Sequence, residues 1–306
     1  MRIIFAGTPA NAAHTLDALV AEGLDVIGVL TREDAPVGRK KVQTESAVAG
    51  AAARHGIPIF KSNRVSEEVL SWISDLKPDL GVIVAYGSIL RKPALDVPVM
   101  GWVNLHYSLL PKFPGAAPVQ HAILSGEVKT GVSVFRLDDG IDTGPILSQA
   151  EVEVDQAITS GQLLEKLTDV GANLLLDTLA NLETRIANQQ TQLVPTGEAV
   201  ASKISRPRAR LNFQQPALVV HNFVRAMNPE PVAWFEFQDL QVRVLQTVVS
   251  TEANLATGEG GIVSGVLLVG CSDGSVELVR VQPAGKNAMT GADWFRGLRQ
   301  ESISIL

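Results

Sequence analysis

The sequence predicts an α/β protein: a Rossmann-like, doubly wound and mostly parallel sheet, followed by a small OB-like β-barrel. Three observations carry this. Apolar runs of strand length alternate with helical patterns through the first part of the chain, and a β-α-β order implies a parallel sheet with right-handed crossovers. A polar stretch over 188–201 (NQQTQLVPTGEAVA) then breaks the pattern. Beyond it lie short strand-like runs separated by Gly, Asp and Ser turns, the arrangement of small barrels. We therefore expect a first domain over 1–187, a linker over 188–202 and a barrel over 203–306. A chain of 306 residues with 46% hydrophobic content has ample apolar material for two cores.

Taken in order, 2–6 reads as a short apolar strand, turned by Gly7-Thr8-Pro9. A helix follows over 10–22 with Ala12, Leu16, Leu19 and Val20 on one side, stopped by Gly23, and 24–30 is the next strand. The first turn has one glycine rather than Gly-x-Gly-x-x-Gly, which disfavours a nicotinamide dinucleotide. Residues 31–45 (TREDAPVGRKKVQTE) read as an exposed loop with a tight basic cluster at Arg39, Lys40 and Lys41. A helix over 46–55, a short strand over 57–60 and a helix over 66–76 with Ser66 as its N-cap come next. The near-continuous apolar run over 79–86 has the character of a central parallel strand. Further strands are expected over 101–106, 130–137 and 146–154, with helices over 117–125 and 160–187. In the second domain we expect a helix over 221–227, strand runs over 232–237, 240–249, 261–270 and 275–283, and a closing helix over 291–298.

Composition excludes several classes. One cysteine, Cys271, permits no internal disulfide, and no Cys/His cluster resembles a zinc site, so no metal is expected. The N-terminal apolar run is too short for a secretory leader, and no stretch approaches the ~20 apolar residues of a membrane span. A membrane partner is not expected; a reducing cytoplasm and a monomer are. The net charge of −6 argues against a surface that coats nucleic acid generally. It divides into −7 over 1–202 and +1 over 203–306, where Lys203, Arg206, Arg208 and Arg210 fall within eight residues with no acid among them. Such a stripe on an acidic protein fits one directed polyanion contact, although from charge alone a solvated linker is the simpler reading.

The chemistry concentrates between Trp102 and Leu147. In an extended segment residues i and i+2 point the same way, so Asn104 and His106 leave the chain on one face, flanked by apolar Val103 and Leu105. Asp142 sits in a loop-like stretch, Asp138-Asp139-Gly140-Ile141-Asp142-Thr143-Gly144-Pro145, from which a carboxylate can return to the imidazole. Ligands of open α/β sheets bind beyond the carboxyl ends of strands, which makes 85–90 a candidate pocket wall. Taken alone, Asn-x-His is most often a strand-edge pair with ordinary hydrogen bonds. Asp138 and Asp139 likewise read as turn residues bonding their own backbone.

These residues also form an ordered series: Asn104-x-His106, Ser108-Leu109-Leu110-Pro111, Gly115-Ala116-Ala117-Pro118, then 138–142 with Gly144. In that series the first 187 residues resemble the folate-dependent formyltransferases. The likeness extends over essentially the whole chain through Phe5-Ala6-Gly7-Thr8-Pro9, Gly38-Arg39-Lys40-Lys41, Val84-Ala85-Tyr86-Gly87, Asn228-Pro229, and Gln282-Pro283-Ala284-Gly285-Lys286 with Met289 and Phe295-Arg296-Gly297. It is strongest to the members that formylate methionyl-tRNA. The resemblance implies transfer of a formyl group from 10-formyltetrahydrofolate to the α-amine of methionine on initiator tRNA. It implies Asn104, His106 and Asp142 as catalytic groups, and a tetrahydrofolate site at Ser108, Leu109, Leu110 and Pro111, with Ala85, Tyr86, Gly87, Asp138, Asp139 and Gly140 beside it. It also implies tRNA contacts at Arg39, Lys40 and Lys41, to which the stripe at Lys203, Arg206, Arg208 and Arg210 adds phosphate contacts that carry little sequence information.

Chemically, Asn104 can donate an N–H to the oxyanion of a tetrahedral intermediate, and His106 titrates in the range for moving a proton. An ionised Asp142 beside His106 is expected to favour the imidazolium. The chain departs from the family pattern in three places. Pro114 stands where an arginine usually precedes Gly-Ala-Ala-Pro. The first loop lacks the second glycine of Gly-Arg-Gly-Lys, and Glu230-Pro231-Val232 replaces the usual Trp-Pro-Gly.

Overall fold

The computed structural model describes residues 1–38, 40–193, 200–252 and 255–305. It divides into two compact units, and the division is not a single cut in the chain. The first unit comprises Met1–Pro118, Lys129–Glu153 and Leu164–Ala201; the second comprises Val119–Val128, Val154–Leu163 and Ser202–Leu306.

The first unit is built on a seven-stranded sheet in the order Ile59–Lys61, Asp25–Thr31, Arg2–Gly7, Leu80–Val84, Trp102–His106, Lys129–Arg136, Ile146–Glu153. The first five strands run parallel, and the last two join antiparallel. Leu80–Val84 lies in the middle with all five residues buried, as a central parallel strand requires. Crossover helices cover the sheet: Ala10–Ala21 buries Ala12, Leu16 and Leu19, while Glu67–Leu76 buries Val69 and Ile73. Ser66 caps the latter through Val69 N, and Ser46 caps Ala47–Arg54 through Ala49 N at 3.0 Å. Each such cap contributes about 1 kcal/mol to its helix. Beneath the sheet, Trp102 packs with Ile4, Leu30, Ile83 and Tyr86, and its indole donates to Ala94 O at 2.8 Å. Gly81 makes room for that ring: a Cβ there meets Trp102 at 2.1 Å.

The second unit holds an antiparallel sheet in the order Ala233–Phe237, Leu240–Ser250, Ser275–Pro283, Val266–Gly270, Glu259–Val263, Ile303–Ser304, curled into a half-barrel. Helices Ala217–Met227 and Gly291–Leu298 pack on it. Phe213, Phe235, Phe237 and Trp294 meet edge to face, with centroids 5.7–5.9 Å apart, and fill its core. The segment Val154–Leu163 belongs here because Arg225 donates to the carbonyls of Asp155 and Ile158 at 3.1 Å. Ser160 Oγ also donates to Asn228 O at 2.6 Å.

Several local expectations are corrected. The loop over 31–45 contains an exposed hairpin, Ala35–Val37 with Val42–Thr44. The run over 261–270 is two strands, because Ser264 (φ 49°) and Gly265 (φ 88°) turn the chain back on itself. The long helix ends at Ala180, and Leu182–Ala187 is a separate helix entered through non-helical Asn181 (φ −117°). The helix expected from His221 starts one turn earlier, at Ala217.

Candidate active site

The strand Trp102–His106 sits between Leu80–Val84 and Lys129–Arg136, with Asn104 level with Ile83 on one side and Phe135 on the other. That register carries Asn104 and His106 to the carboxyl edge of the parallel strands. Ala85–Gly87 leave the neighbouring strand at the same level, so the expected pocket wall stands beside the pair.

His106 is buried at 6% exposure, edge-on to Phe135. Its Nε2 lies 3.0 Å from Phe113 O, and since a carbonyl only accepts, Nε2 carries a proton. Its Nδ1 faces Asp142 Oδ2 at 3.6 Å, longer than a hydrogen bond. Burial holds the imidazole below the ordinary histidine value of 6.5; the Asp142 charge and the Phe113 carbonyl pull it back up but do not prevail. Asp142 therefore favours the imidazolium, as expected, and burial outweighs it. On balance the neutral ring is favoured, protonated on Nε2, with Nδ1 aimed at a carboxylate. Asp142 adopts a left-handed backbone (φ 54°), and its Oδ2 accepts from Gly115 N at 2.6 Å. Asn104 is half-buried, and its amide has no hydrogen-bond partner among the described residues.

The structure thus brings Asn104, His106 and Asp142 to one place. Among the other expected site residues, Ser108 is fully buried and donates to Lys112 O at 2.6 Å, and Leu110 is buried too. Leu109 and Pro111 are half-buried. The Ser108–Leu110 loop is pinned from below: Ser133 Oγ donates to Ser108 O at 2.6 Å and accepts from Leu110 N at 3.0 Å, and Gln149 Nε2 donates to Leu110 O at 2.9 Å. Ala85 (φ 49°) and Gly87 are exposed. Between them Tyr86 is buried, donating to Ser62 O at 3.0 Å, with its phenol pushed up to about 12 by burial. Asp138 bonds its own loop, accepting from Gly140 N at 3.0 Å and Thr143 Oγ1 at 2.8 Å; Asp139 and Gly140 are exposed.

The expected basic residues fall on other segments of the chain. Arg39 lies outside the described residues, while Lys40 and Lys41 are exposed at the hairpin turn. In the second unit Arg206 donates to Gln241, and Arg210 pairs with Glu236 at 3.5 Å and lies over Trp234. Lys203 and Arg208 are exposed and form no ion pair among the described residues.

Sequence reasoning missed the groups that organise the site. Phe113 O and Gly115 N are main-chain atoms without a sequence signature. Ser133 was visible as a polar residue between Val132 and Val134, whereas Gln149 sits in a strand with several other polar residues. Gln192, whose Nε2 donates to Asp142 O at 2.9 Å and Gly144 O at 2.6 Å, came from a stretch read as linker.

The chain is similar to known proteins along both parts of its length. Residues 1–179 match the formyl transferase family, and residues 203–299 match the formyl transferase C-terminal domain. Methionyl-tRNA formyltransferase of Paenarthrobacter aurescens (strain TC1) is 45% identical over 299 residues, covering 97% of each chain. That of Arthrobacter sp. (strain FB24) is 44% identical over the same length, again covering 97% of each chain. Among solved structures, an N-formyltransferase from Helicobacter canadensis in complex with folinic acid and dTDP-3-aminofucose superposes with a TM-score of 0.65 at 19% identity, covering 90% of this chain and 97% of that one. That likeness shows the shared fold. With two matched domains and near-full-length relatives above 40% identity, the chain belongs to the formyl transferase family.

Proposed function

We propose that this protein transfers the formyl group of 10-formyltetrahydrofolate to the α-amine of methionyl initiator tRNA. One observation supports the chemistry above the rest: an unpartnered Asn104 amide beside a buried His106–Asp142 pair, in a formyl transferase chain. The name of its near-full-length relatives supports the acceptor.

In this reading the amine nitrogen attacks the formyl carbon, and the carbonyl electron pair moves onto oxygen. The free Asn104 N–H donates to that oxyanion; because it has no partner to give up, the donation needs no rearrangement. The amine proton passes to the basic Nδ1 of His106. The Nε2–H bond to Phe113 O keeps the ring from turning, and Asp142 stabilises the imidazolium formed beside it. The carbon–N10 bond then breaks and N10 takes up the proton. Exposed Ala85, Gly87, Asp139 and Gly140 and half-buried Leu109 border the folate, while buried Ser108 and Leu110 support that border. On the tRNA side, Lys40 and Lys41, together with Arg39, Lys203 and Arg208, contact phosphate; Arg206 and Arg210 add charge to the same stripe. The reaction runs in the cytoplasm with the chain acting as a monomer.

The test is an acceptor comparison. Purified protein and 10-formyltetrahydrofolate are given methionyl-tRNA, free methionine, glycinamide ribonucleotide or an amino-sugar nucleotide. Formylation of the charged tRNA alone is expected; a small amine formylated in preference to it overturns the acceptor assignment.

A further inference from the structure

The residues after Ala187 contribute to the site rather than merely leaving it. Gln190 forms a two-way backbone bridge with Ile146, both bonds 2.8 Å. Two residues on, Gln192 is buried at 9% exposure and donates through Nε2 to both Asp142 O and Gly144 O. Further along, Ala201 N donates to Pro114 O at 2.6 Å and Ala201 O accepts from Ala117 N at 2.9 Å. These contacts fall on the two loops that meet at the His106–Asp142 pair. Gly115 leaves no space beside that segment: a Cβ there meets Val200 at 2.6 Å.

We propose that Gln192 is a positioning residue for formyl transfer, clamping the Asp142 loop so that the carboxylate stays beside the His106 imidazole. Asp142 is held at both ends, its carbonyl by Gln192 and its carboxylate by Gly115 N. The hold is needed because φ 54° is a conformation that non-glycine residues keep only when their surroundings impose it. The imidazole does not substitute for it: the Asp142–His106 separation of 3.6 Å is too long to lock the carboxylate by a hydrogen bond. The attraction falls as the inverse of distance, so a retreat of ~1 Å weakens it by about a fifth. Gln192 also leaves its Oε1 buried without a partner among the described residues. A side chain present only to fill space would not carry an orphaned acceptor. Its two donations to the loop are what the residue supplies. The inference rests on the reading of His106 and Asp142 as the proton-handling pair.

The experiment is a double-mutant cycle in the full chain, with formylation of methionyl-tRNA as the readout. Gln192→Met keeps the length and burial of the side chain and removes both donations. Its kcat is expected to fall about 10–100-fold with KM for both substrates within about twofold, the signature of displaced rather than deleted binding groups. The acid limb of its pH–rate profile is expected to move to lower pH, as in Asp142→Ala, because the imidazolium loses the same charge partner. In the Asp142→Ala background the substitution should cost nothing further. If Gln192→Met does not fold, Gln192→Leu, which is uncharged and also lacks a donor, carries the same measurements. Wild-type kcat and pH profile in the Gln192 variant, or a loss that multiplies with that of Asp142→Ala, overturns the proposal. Wild-type kcat in Asp142→Ala overturns the underlying reading instead.

Discussion

Asn104→Ala is the substitution that separates chemistry from architecture in this site. The Asn104 backbone is held in the ladder between Ile83 and Phe135 whatever the side chain, and the half-buried amide bonds nothing among the described residues. Truncation therefore removes no native hydrogen bond and opens no sealed cavity. The unfolding free energy should change by no more than about 0.5 kcal/mol, the range of substitutions that break no specific feature. Loss of one oxyanion donor, by contrast, lowers the rate by about 10²–10³, or about 2.7–4 kcal/mol of transition-state stabilisation. The two numbers differ enough to be read from one preparation. Urea melts supply the first, and initial rates of formyl transfer at saturating folate, with formylmethionyl-tRNA resolved from its precursor, supply the second. Asn104→Asp sharpens the case, because it keeps the shape and puts a carboxylate where the oxyanion forms; it should be at least as slow as alanine. A rate within tenfold of wild type for Asn104→Ala refutes the assignment. So does a rate that falls only in step with stability.

Three further outcomes are expected. Burial holds both His106 and His221 below the ordinary value of 6.5, so the unfolded chain binds protons that the folded chain refuses. Stability present above pH 6.5 should accordingly decline as pH falls below it, and His221→Gln should flatten part of that decline in melts taken across this window. Replacing Lys40 and Lys41 together by alanine should raise KM for tRNA and flatten the slope of log affinity against log salt by about 0.7–0.9 for each phosphate no longer neutralised; an unchanged slope removes the hairpin from the interface. Gly81→Ala places a methyl 2.1 Å from the Trp102 ring, and the overpacking should destabilise the first unit by about 1–3 kcal/mol, seen as a lower urea midpoint.

How much of this was legible follows from where the information resides. The parallel sheet was legible because Leu80–Val84 and Trp102–His106 are buried strands whose apolar runs no surface loop imitates. Asn104 and His106 were legible as a pair because the period of a strand is two. The hairpin at Ala35–Val37 was not, since its six strand residues are all exposed and no burial pattern marks them. The turn at Ser264-Gly265 was hidden by apolar residues on both sides, which read as one continuous strand. For His106, the sequence shows the nearby aspartate that favours the imidazolium but not the burial that outweighs it. Gln192 carried no signal at all. It is a polar residue among polar residues, and only the fold brings it under Asp142.

The loop over 113–115 carries a different lesson. It meets its neighbours through Phe113 O, Pro114 O and Gly115 N, three main-chain atoms from two successive peptide groups. Peptide groups are common to every amino acid, so these hydrogen bonds do not depend on which side chains stand at 113 and 114. A proline can then occupy a place where the family pattern has an arginine without altering which atoms greet the imidazole and the carboxylate. What this corner supplies to the imidazole and the carboxylate is a path of the main chain rather than a set of side chains.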